Sequence, residues 1–437
     1  MIFSKANFGT LSTSVAIQAC GALTGILTAR LLGPVARGEL ATVILWPTVL
    51  SNLGLMGCNW VLAREVARNP DGEPDWVHVG VAVAMVTAGL YLVAGYFLLP
   101  SLLPSNRRYL IPIARLCLLL IPLDIFNQVL LAVEHGRMRW RRYNLLRLSY
   151  FLFYALLIAC IGVTHQIQVR WFVSAFLASH LLAALLRLWI QRNLLTRGKL
   201  SIDRCGHLLR AGAPFFGATV SNLIWQQLDT ILVVSLLNTE AAGIYAVAAA
   251  FANGQSSLGD ALGISSFASL SNERNAGSWE KMITGMFRQS ALVLCGVGLV
   301  LACLIPFLVV PLFGFEFSRA VWPAVVLTLA SSAAALANVL NQGLRGAGRP
   351  HAGLVSQMVG IGVMAVAAFF FLRRFGLMGM AFGVLISTGS QLLILVSMGA
   401  KWLKVSPLDF WPFRAGNVRL FWRQLAGLRL RYSRSSA

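Results

Sequence analysis

Long apolar runs, separated by short polar or glycine-containing segments, make up most of this chain. Two of them, Phe8–Ala29 and Ala41–Ala63, contain no Asp, Glu, Lys or Arg. A helix needs about 20 residues to cross a hydrocarbon core that is about 30 Å thick. The pattern therefore predicts an all-α polytopic membrane protein with about twelve transmembrane helices. The predicted spans cover residues 8–29, 41–63, 76–99, 109–133, 148–164, 170–190, 211–237, 241–265, 289–313, 320–344, 352–372 and 376–400.

The twelve spans form two groups of six that match each other in sequence. A constant offset of 205 residues carries Gly38 to Gly243 and Ala41 to Ala246, and further matches flank these pairs. Repeats of this kind are typical of membrane transporters whose substrate site lies between the two halves. We therefore predict two six-helix lobes, a linker and a tail, at residues 1–190, 211–400, 191–210 and 401–437 respectively.

The composition supports a membrane protein, and the positions of its charges predict an orientation. The 437 residues are 57% hydrophobic and 12% charged, and the net charge is +21. With the N-terminus in the cytoplasm, about three quarters of the 36 Lys and Arg residues fall in cytoplasmic segments, as the positive-inside rule requires. Both termini are then cytoplasmic, and the two repeats are parallel. This arrangement explains the positive charge without nucleic acid as a partner.

Apolar residues in the tail recur at helical spacing, while Arg419 and Arg423 lie on another face. This pattern predicts a cationic amphipathic helix on the inner leaflet, and a basic tail without fixed structure is the alternative. The apolar positions are Val418, Phe421, Trp422, Leu425 and Leu428.

Motifs for common enzyme chemistry are missing from the sequence. Gly254 and Gly259 have the glycine spacing of a phosphate-binding loop, but Asp260 stands where that motif requires Lys. No HExxH, GxSxG or metal-type CxxC motif is present. The six histidines lack ligand spacing, so we expect them near the membrane interface. We predict a protein that is not an enzyme and that needs no cofactor or metal.

Polar side chains recur at helical spacing inside several spans. Such residues are costly in lipid, so they usually face other helices or a hydrated cavity. Helix–helix hydrogen bonding explains any one amide well, whereas the combined stripes favour a central cavity. The predicted cavity residues are Gln18, Asn52, Asn222, Gln226, Gln227, Asp229, Asn253, Asn338, Asn341, Gln342 and Arg345. The candidate ion-coupling residues are Asp124, Asp229 and Asp260.

Two stretches of the chain resemble a known family. Arg30–Gly38 (RLLGPVARG) is similar to the turn after the first helix of bacterial polysaccharide-unit (Wzx-type) flippases. These flippases belong to the multidrug/oligosaccharidyl-lipid/polysaccharide (MOP) exporter superfamily. Gln227–Thr230 (QLDT) through Ala242–Tyr245 (AGIY) resembles the start of their second half, and the resemblance covers about residues 1–400.

The resemblance implies a function in the bacterial cytoplasmic (inner) membrane. It implies that polyprenyl-diphosphate-linked oligosaccharide units cross that membrane between two lobes by alternating access, for surface polysaccharide biosynthesis. Membrane lipids are further partners, and a polysaccharide polymerase and glycosyltransferases are candidate partners. The family supplies no catalytic signature to carry over to this chain.

Two other classes of function stay open at this stage. A cation-coupled multidrug exporter would share the fold, but such exporters commonly carry an acidic residue in the first helix, and Phe8–Ala29 has none. A membrane-embedded polymerase or glycosyltransferase would generally need a sizeable outer loop with acidic or arginine residues, which the sequence does not show.

Overall fold

The structure is a computed structural model that describes residues 5–69, 72–165, 167–196, 198–271, 279–349 and 351–411. Within these ranges the chain folds into α-helices joined by short turns, as the apolar runs predict. The helices are α1 (Lys5–Gly54), α2 (Cys58–Arg68), α3 (Glu73–Leu102), α4 (Ile111–Cys117), α5 (Leu120–Gly136), α6 (Trp140–Thr164), α7 (Val169–Leu195), α8 (Ile202–Leu236), α9 (Thr239–Ser271), α10 (Trp279–Phe313), α11 (Val321–Gly346) and α12 (His351–Leu403). Short 3₁₀ turns cover Ser105–Leu110, Phe315–Ala320 and Pro407–Phe410.

The helices reproduce the predicted spans. Eight helical stretches among the described residues are long and apolar enough to cross a membrane. His351–Leu403 holds the predicted spans 352–372 and 376–400, and Ser12–Gly54 covers most of 8–29 and the first part of 41–63. The helices α8 and α9 have 35 and 33 residues, which exceeds the length that a membrane requires. The predicted all-α architecture of about twelve spans is confirmed.

The two longest helices are interrupted at glycines with positive φ. Gly33 has φ 70° and Gly376 has φ 55°, a region that side chains with a Cβ rarely adopt. After Gly376 the chain reverses direction. The two sides of the turn are so close that a Cβ at Gly379 would overlap the carbonyl oxygen of Phe371. Two spans therefore follow each other in α12 with no loop between them.

The predicted connection at residues 30–40 is wrong. Helical structure continues to Leu32 and resumes at Pro34, so the break is confined to Gly33. Proline is favoured in the first turn of a helix, where its missing N–H is not needed. The glycine thus supplies the bend, and the proline starts the next helix at once.

The predicted span 41–63 is also interrupted. The chain leaves the helix at Leu55–Gly57, where Met56 and Gly57 have φ of 47° and 72°. A Cβ at Gly57 would lie 2.6 Å from the carbonyl oxygen of Gly212 on α8. The break at Gly57 therefore lets α8 approach the backbone closely.

The described helices form two compact units. One contains Met1–Val247 with Val310–Phe317, and its apolar core includes Leu62, Val77 and Ile121, which are fully buried. The other contains Ala248–Val309 and the described residues from Ser318 onward, with a core that includes Leu294 and Leu395. The superposition of residues 1–190 on residues 211–400 as two lobes stays a prediction.

The predicted linker and tail are partly helical or packed. Helix α7 runs to Leu195 and α8 begins at Ile202, so few residues separate them. After α12, Phe410 packs on Phe287 with ring centroids 5.4 Å apart. The amphipathic helix predicted at residues 418–428 lies outside the described residues.

Candidate transport site

Helix α8 carries one of the predicted polar stripes, formed by Asn222, Gln226 and Asp229. Asn222 and Gln226 are exposed on it, and Gln227 is half-buried. Lipid hydrocarbon offers no hydrogen-bond partner to an amide, so an exposed amide on a membrane-length helix favours a hydrated surface. The structure therefore leaves Asn222 and Gln226 exposed, and their role in lining a cavity stays a prediction.

Asp229, at the C-terminal part of the same stripe, is held by hydrogen bonds. Its Oδ2 accepts a hydrogen bond of 2.7 Å from the hydroxyl of Tyr245 on α9, and its Oδ1 accepts from the Thr230 amide at 2.6 Å and the Thr230 hydroxyl at 3.2 Å. Tyr245 is almost fully buried, at 1% exposure. Asp229 is therefore a fixed, partly exposed carboxylate that joins α8 to α9.

The second compact unit brings two predicted residues together. The amide nitrogen of Asn338 on α11 donates to Oδ1 of Asp260 on α9 at 2.8 Å. A Cβ at Gly263 would lie 3.1 Å from Cγ of Gln342, so α9 and α11 are closely packed here. Asp260 is exposed, although its carboxylate accepts this hydrogen bond from Asn338.

The remaining predicted residues of this unit differ in their surroundings. Asn341 lies against Gly353, where a Cβ would overlap its side chain, and its Oδ1 is buried. Asn253 and Arg345 are exposed on α9 and α11. Asn341 is therefore a packing residue between α11 and α12, whereas Asn253 and Arg345 remain available to solvent.

In the first compact unit, Gln18 and Asn52 do not share a cluster. Gln18 is exposed on α1, whereas Nδ2 of Asn52 donates to the carbonyl oxygen of Thr48 at 2.8 Å. An amide that is bonded one turn back along its own helix is less free to meet a ligand. The predicted role of Asn52 in a cavity thus has little support from this geometry.

Asp124 belongs to an internal polar cluster of the first unit. Its Oδ2 accepts a hydrogen bond of 2.7 Å from the Ser51 hydroxyl, and it interacts electrostatically with His180 and Arg187. Arg187 is 3% exposed, and it donates to Oδ1 of Asn127 and, at 2.7 Å, to the carbonyl oxygen of Leu146. The charge of Asp124 is therefore compensated by a buried guanidinium.

The predicted polar stripes do not include His180 and Arg187 of this cluster. His180 was expected near the membrane interface, but it is 6% exposed and lies 4.9 Å from the Tyr150 ring, centroid to centroid. Tyr150 and Phe176 enclose the imidazole, so His180 is a buried residue, and its depth in the membrane stays a prediction. The signal was available, since His180 and Arg187 are seven residues apart and share a helical face with no loop nearby.

A second missed site is a tight junction between helices from the two predicted repeats, all within the first compact unit. A Cβ at Gly38 would overlap the carbonyl oxygen of Thr239, and a Cβ at Gly243 would overlap that of Pro34. The two glycines that the offset of 205 residues relates are therefore in mutual backbone contact. We call the contact formed by Gly38, Gly243 and the arginine described next the helix junction.

Arg107 completes the helix junction. It is fully buried, and its guanidinium donates to Oγ1 of Thr42 on α1 at 2.9 Å and to the carbonyl oxygen of Leu237, just after α8, at 2.7 Å. A buried guanidinium with two neutral acceptors is stable only while both acceptors stay in place. Arg107, which the sequence placed in a loop, therefore ties the two repeats together at this end.

Arg30 forms a further contact between helices, close to the bend of α1 at Gly33. Its Nε donates to the carbonyl oxygen of Leu312 at 2.7 Å, and its Nη2 donates to that of Pro311. Both carbonyls belong to the last turn of α10, where helical carbonyls lack partners and a cation is favourable. Arg30, the first residue of the RLLGPVARG stretch, thus caps the C-terminal end of α10.

The site residues do not include a metal centre among the described side chains. No group of three His, Cys, Asp or Glu residues is arranged there to hold a metal ion. The described site contains exposed amides, three carboxylates with hydrogen-bond partners, and buried arginines that join helices. These groups are suited to binding a polar ligand and to holding helices together.

The fold defines the class of protein. A solved structure described as an inward-facing multidrug resistance MATE family transporter of the MOP superfamily aligns with a TM-score of 0.73 and 14% identity, over 89% of this chain and 94% of that one. Lipid II flippase MurJ in an inward closed conformation aligns with a TM-score of 0.73 and 12% identity, over 94% and 91%. An outward-facing MATE transporter aligns at 0.63 with 16% identity, over 90% and 94%. The chain has the fold of the MOP exporter superfamily.

The family follows from the sequence comparison. The family described as "Polysaccharide biosynthesis protein" matches residues 4–258, which is more than half of the chain. The chain belongs to this family, and the resemblance to Wzx-type flippases is confirmed. Among individual curated proteins, none matches the chain.

Proposed function

We propose that this protein moves polyprenyl-diphosphate-linked oligosaccharide units from the cytoplasmic to the outer leaflet of the bacterial cytoplasmic membrane. The geometric observation that carries the proposal is the exposure of Asn222 and Gln226 on a membrane-length helix. Amides match the donors and acceptors of sugar hydroxyls, and lipid alone would not accommodate them. Membership of a polysaccharide biosynthesis family supports a saccharide as the cargo.

The helix junction supports alternating access as the mechanism. Gly38 and Gly243 allow two backbones to touch, and Arg107 bonds across the contact. Under the orientation that the charges favour, this junction lies towards the outer side of the membrane. In our proposal it closes that side while the headgroup enters from the cytoplasm, and it separates when the unit is released.

The lipid nature of the cargo explains why a wide aqueous pore is not needed. The prenyl tail stays in the bilayer while the charged saccharide headgroup passes along the polar helix faces. Basic cytoplasmic segments attract the diphosphate. The exposed carboxylate of Asp260 and the fixed carboxylate of Asp229 are the proposed sites at which a coupling cation or proton acts.

Reconstitution tests the proposed function. Purified protein in liposomes should accelerate the transfer of a lipid-linked oligosaccharide between leaflets, measured with a probe of leaflet sidedness. Deleting the protein should stop the export of a surface polysaccharide and leave lipid-linked units on the cytoplasmic leaflet. Unchanged flipping together with normal surface polysaccharide would exclude the proposal, and drug efflux by the same liposomes would support a cation-coupled multidrug exporter.

The orientation is tested by cysteine labelling in intact cells. In a background without native Cys, we expect Phe3→Cys and Ser435→Cys to resist a membrane-impermeant thiol reagent, because the positive-inside rule places both ends in the cytoplasm. Ser105→Cys, in a predicted outer loop, is the matched positive control. Labelling of either terminus from outside would reverse the orientation.

Asp229 is tested by a pair of neighbouring variants. We expect Asp229→Asn to lower export about tenfold, because it removes a charge proposed for coupling while keeping a hydrogen-bond acceptor for Tyr245. Tyr245→Phe removes only the hydroxyl and should lower export less than Asp229→Asn does. Export by both variants, normalised to protein in the membrane, is the measurement. A nearly silent Asp229→Asn would restrict the carboxylate to joining α8 and α9.

A further inference from the structure

A groove of about 490 Å³ lies between the N-terminal part of α6 and the C-terminal part of α7. Its walls include Leu145 and Leu186, and Arg142 and Arg192 stand at its rim. Ligand sites in proteins commonly fall between about 300 and 1,000 Å³. The groove is thus large enough for a small molecule or for part of a lipid.

The charges around the groove favour an anion. Arg142 and Arg192 are exposed, and neither has a hydrogen bond or an ion pair to another described residue. By contrast, Arg137 nearby in sequence pairs with both Glu73 and Glu134. No Asp or Glu lines the groove. Two guanidinium groups without a carboxylate therefore face any occupant.

The apolar side of the groove opens to the membrane. Leu145 and Trp189 are 68% and 64% exposed, and both belong to its lining. Trp189 lies three residues before Arg192, so the tryptophan and the guanidinium are one helical turn apart. Tryptophan prefers the level of lipid headgroups, and arginine reaches the phosphate layer above it.

We propose that this groove binds one anionic phospholipid, of the phosphatidylglycerol type. Its phosphate lies between Arg142 and Arg192, and an acyl chain runs along Leu145 and Leu186. The occupant is inferred from the pairing of two unpaired cations with an apolar wall that continues into the lipid-facing surface. The groove shares no lining residue with the predicted transport site, because every residue of its lining belongs to α6 or α7 and none is among the predicted cavity or ion-coupling residues.

Thermal unfolding in nanodiscs tests the proposal. We expect phosphatidylglycerol, added in increasing mole fraction to phosphatidylcholine, to raise the melting temperature of the full chain. In Arg142→Gln/Arg192→Gln, the mole fraction that gives half of this rise should increase about tenfold. The control is Arg139→Gln/Arg141→Gln, which removes the same charge from exposed arginines outside the groove lining. Equal shifts in both double variants, or no shift in either, would overturn the site.

A variant that fills the groove distinguishes lipid binding in the groove from attraction by general surface charge. Leu186→Trp keeps both arginines but places a larger side chain in the apolar wall. We expect it to weaken phosphatidylglycerol stabilisation while the melting temperature in pure phosphatidylcholine stays unchanged. Retention of phosphatidylglycerol by native mass spectrometry should fall in parallel. Unaltered retention would overturn the proposal, and so would displacement of phosphatidylglycerol by an equimolar polyprenyl phosphate.

Discussion

Replacing Gly38 by Leu should lower export at least about tenfold, because the helix junction leaves no room for a side chain. A Cβ at this position would overlap the backbone carbonyl of Thr239, and backbone cannot rotate away as a side chain can. The helices must then separate at the junction. Gly243→Leu should behave in the same way, because its Cβ would overlap the carbonyl of Pro34.

Gly89 provides the matched control for the junction. It lies on α3, and a Cβ there would meet nothing within 4 Å. Gly89→Leu should therefore leave export unchanged at the same level of protein in the membrane. Polysaccharide export in a deletion strain that carries each variant is the measurement. Normal export by Gly38→Leu would show that the contact is not needed in the transport cycle.

Replacing Arg187 by Leu should cause the largest loss of stability. The variant leaves the side-chain oxygen of Asn127 without its donor, whereas the carbonyl of Leu146 keeps a hydrogen bond from the Ser149 hydroxyl. A buried unsatisfied acceptor costs about 1–3 kcal/mol, and Asp124 would also lose its compensating charge. We expect a decrease in the free energy of unfolding of about 3–5 kcal/mol.

The measurement is the melting temperature of the purified protein in detergent or nanodiscs. Arg141→Leu is the control, because Arg141 is exposed on α6. Arg187→Lys should fall between the two, since lysine keeps the charge but not the planar fork that reaches both acceptors. Equal melting temperatures for Arg187→Leu and Arg141→Leu would show that the cluster does not hold the helices together.

The length of the uncharged apolar runs was enough to predict the helices but not their interruptions. The spans are set by length and by the absence of charge, which are local properties of the sequence. The break at Leu55–Gly57 lets α8 approach, and the Gly212 that it contacts is more than 150 residues away. Such a contact has no local signal, so the apolar run that ends at Ala63 predicts a continuous span.

The candidate site likewise contains residues that the sequence could predict and residues that it could not. The stripe on α8 predicted that Asn222 and Gln226 share one face as cavity residues, because a stripe needs only the period of one helix, and both residues are exposed. Arg107 lies in a short 3₁₀ turn of ordinary composition, and its burial depends on Thr42 and Leu237 from distant parts of the chain. Long-range pairing of this kind could not be predicted from the spacing of residues.

The reversal at Gly376 determines where the molecule tolerates labels. A straight helix of 53 residues would be about 80 Å long, yet the bend folds α12 back with only a glycine at the turn. An epitope tag inserted there would have to unwind two spans. Antibodies and proteases need an accessible stretch of non-helical peptide, and the turn offers almost none. The turn at His165, which has φ 51° between α6 and α7, offers a better insertion point. Surface display and limited proteolysis of this protein should therefore be planned around the turn at His165.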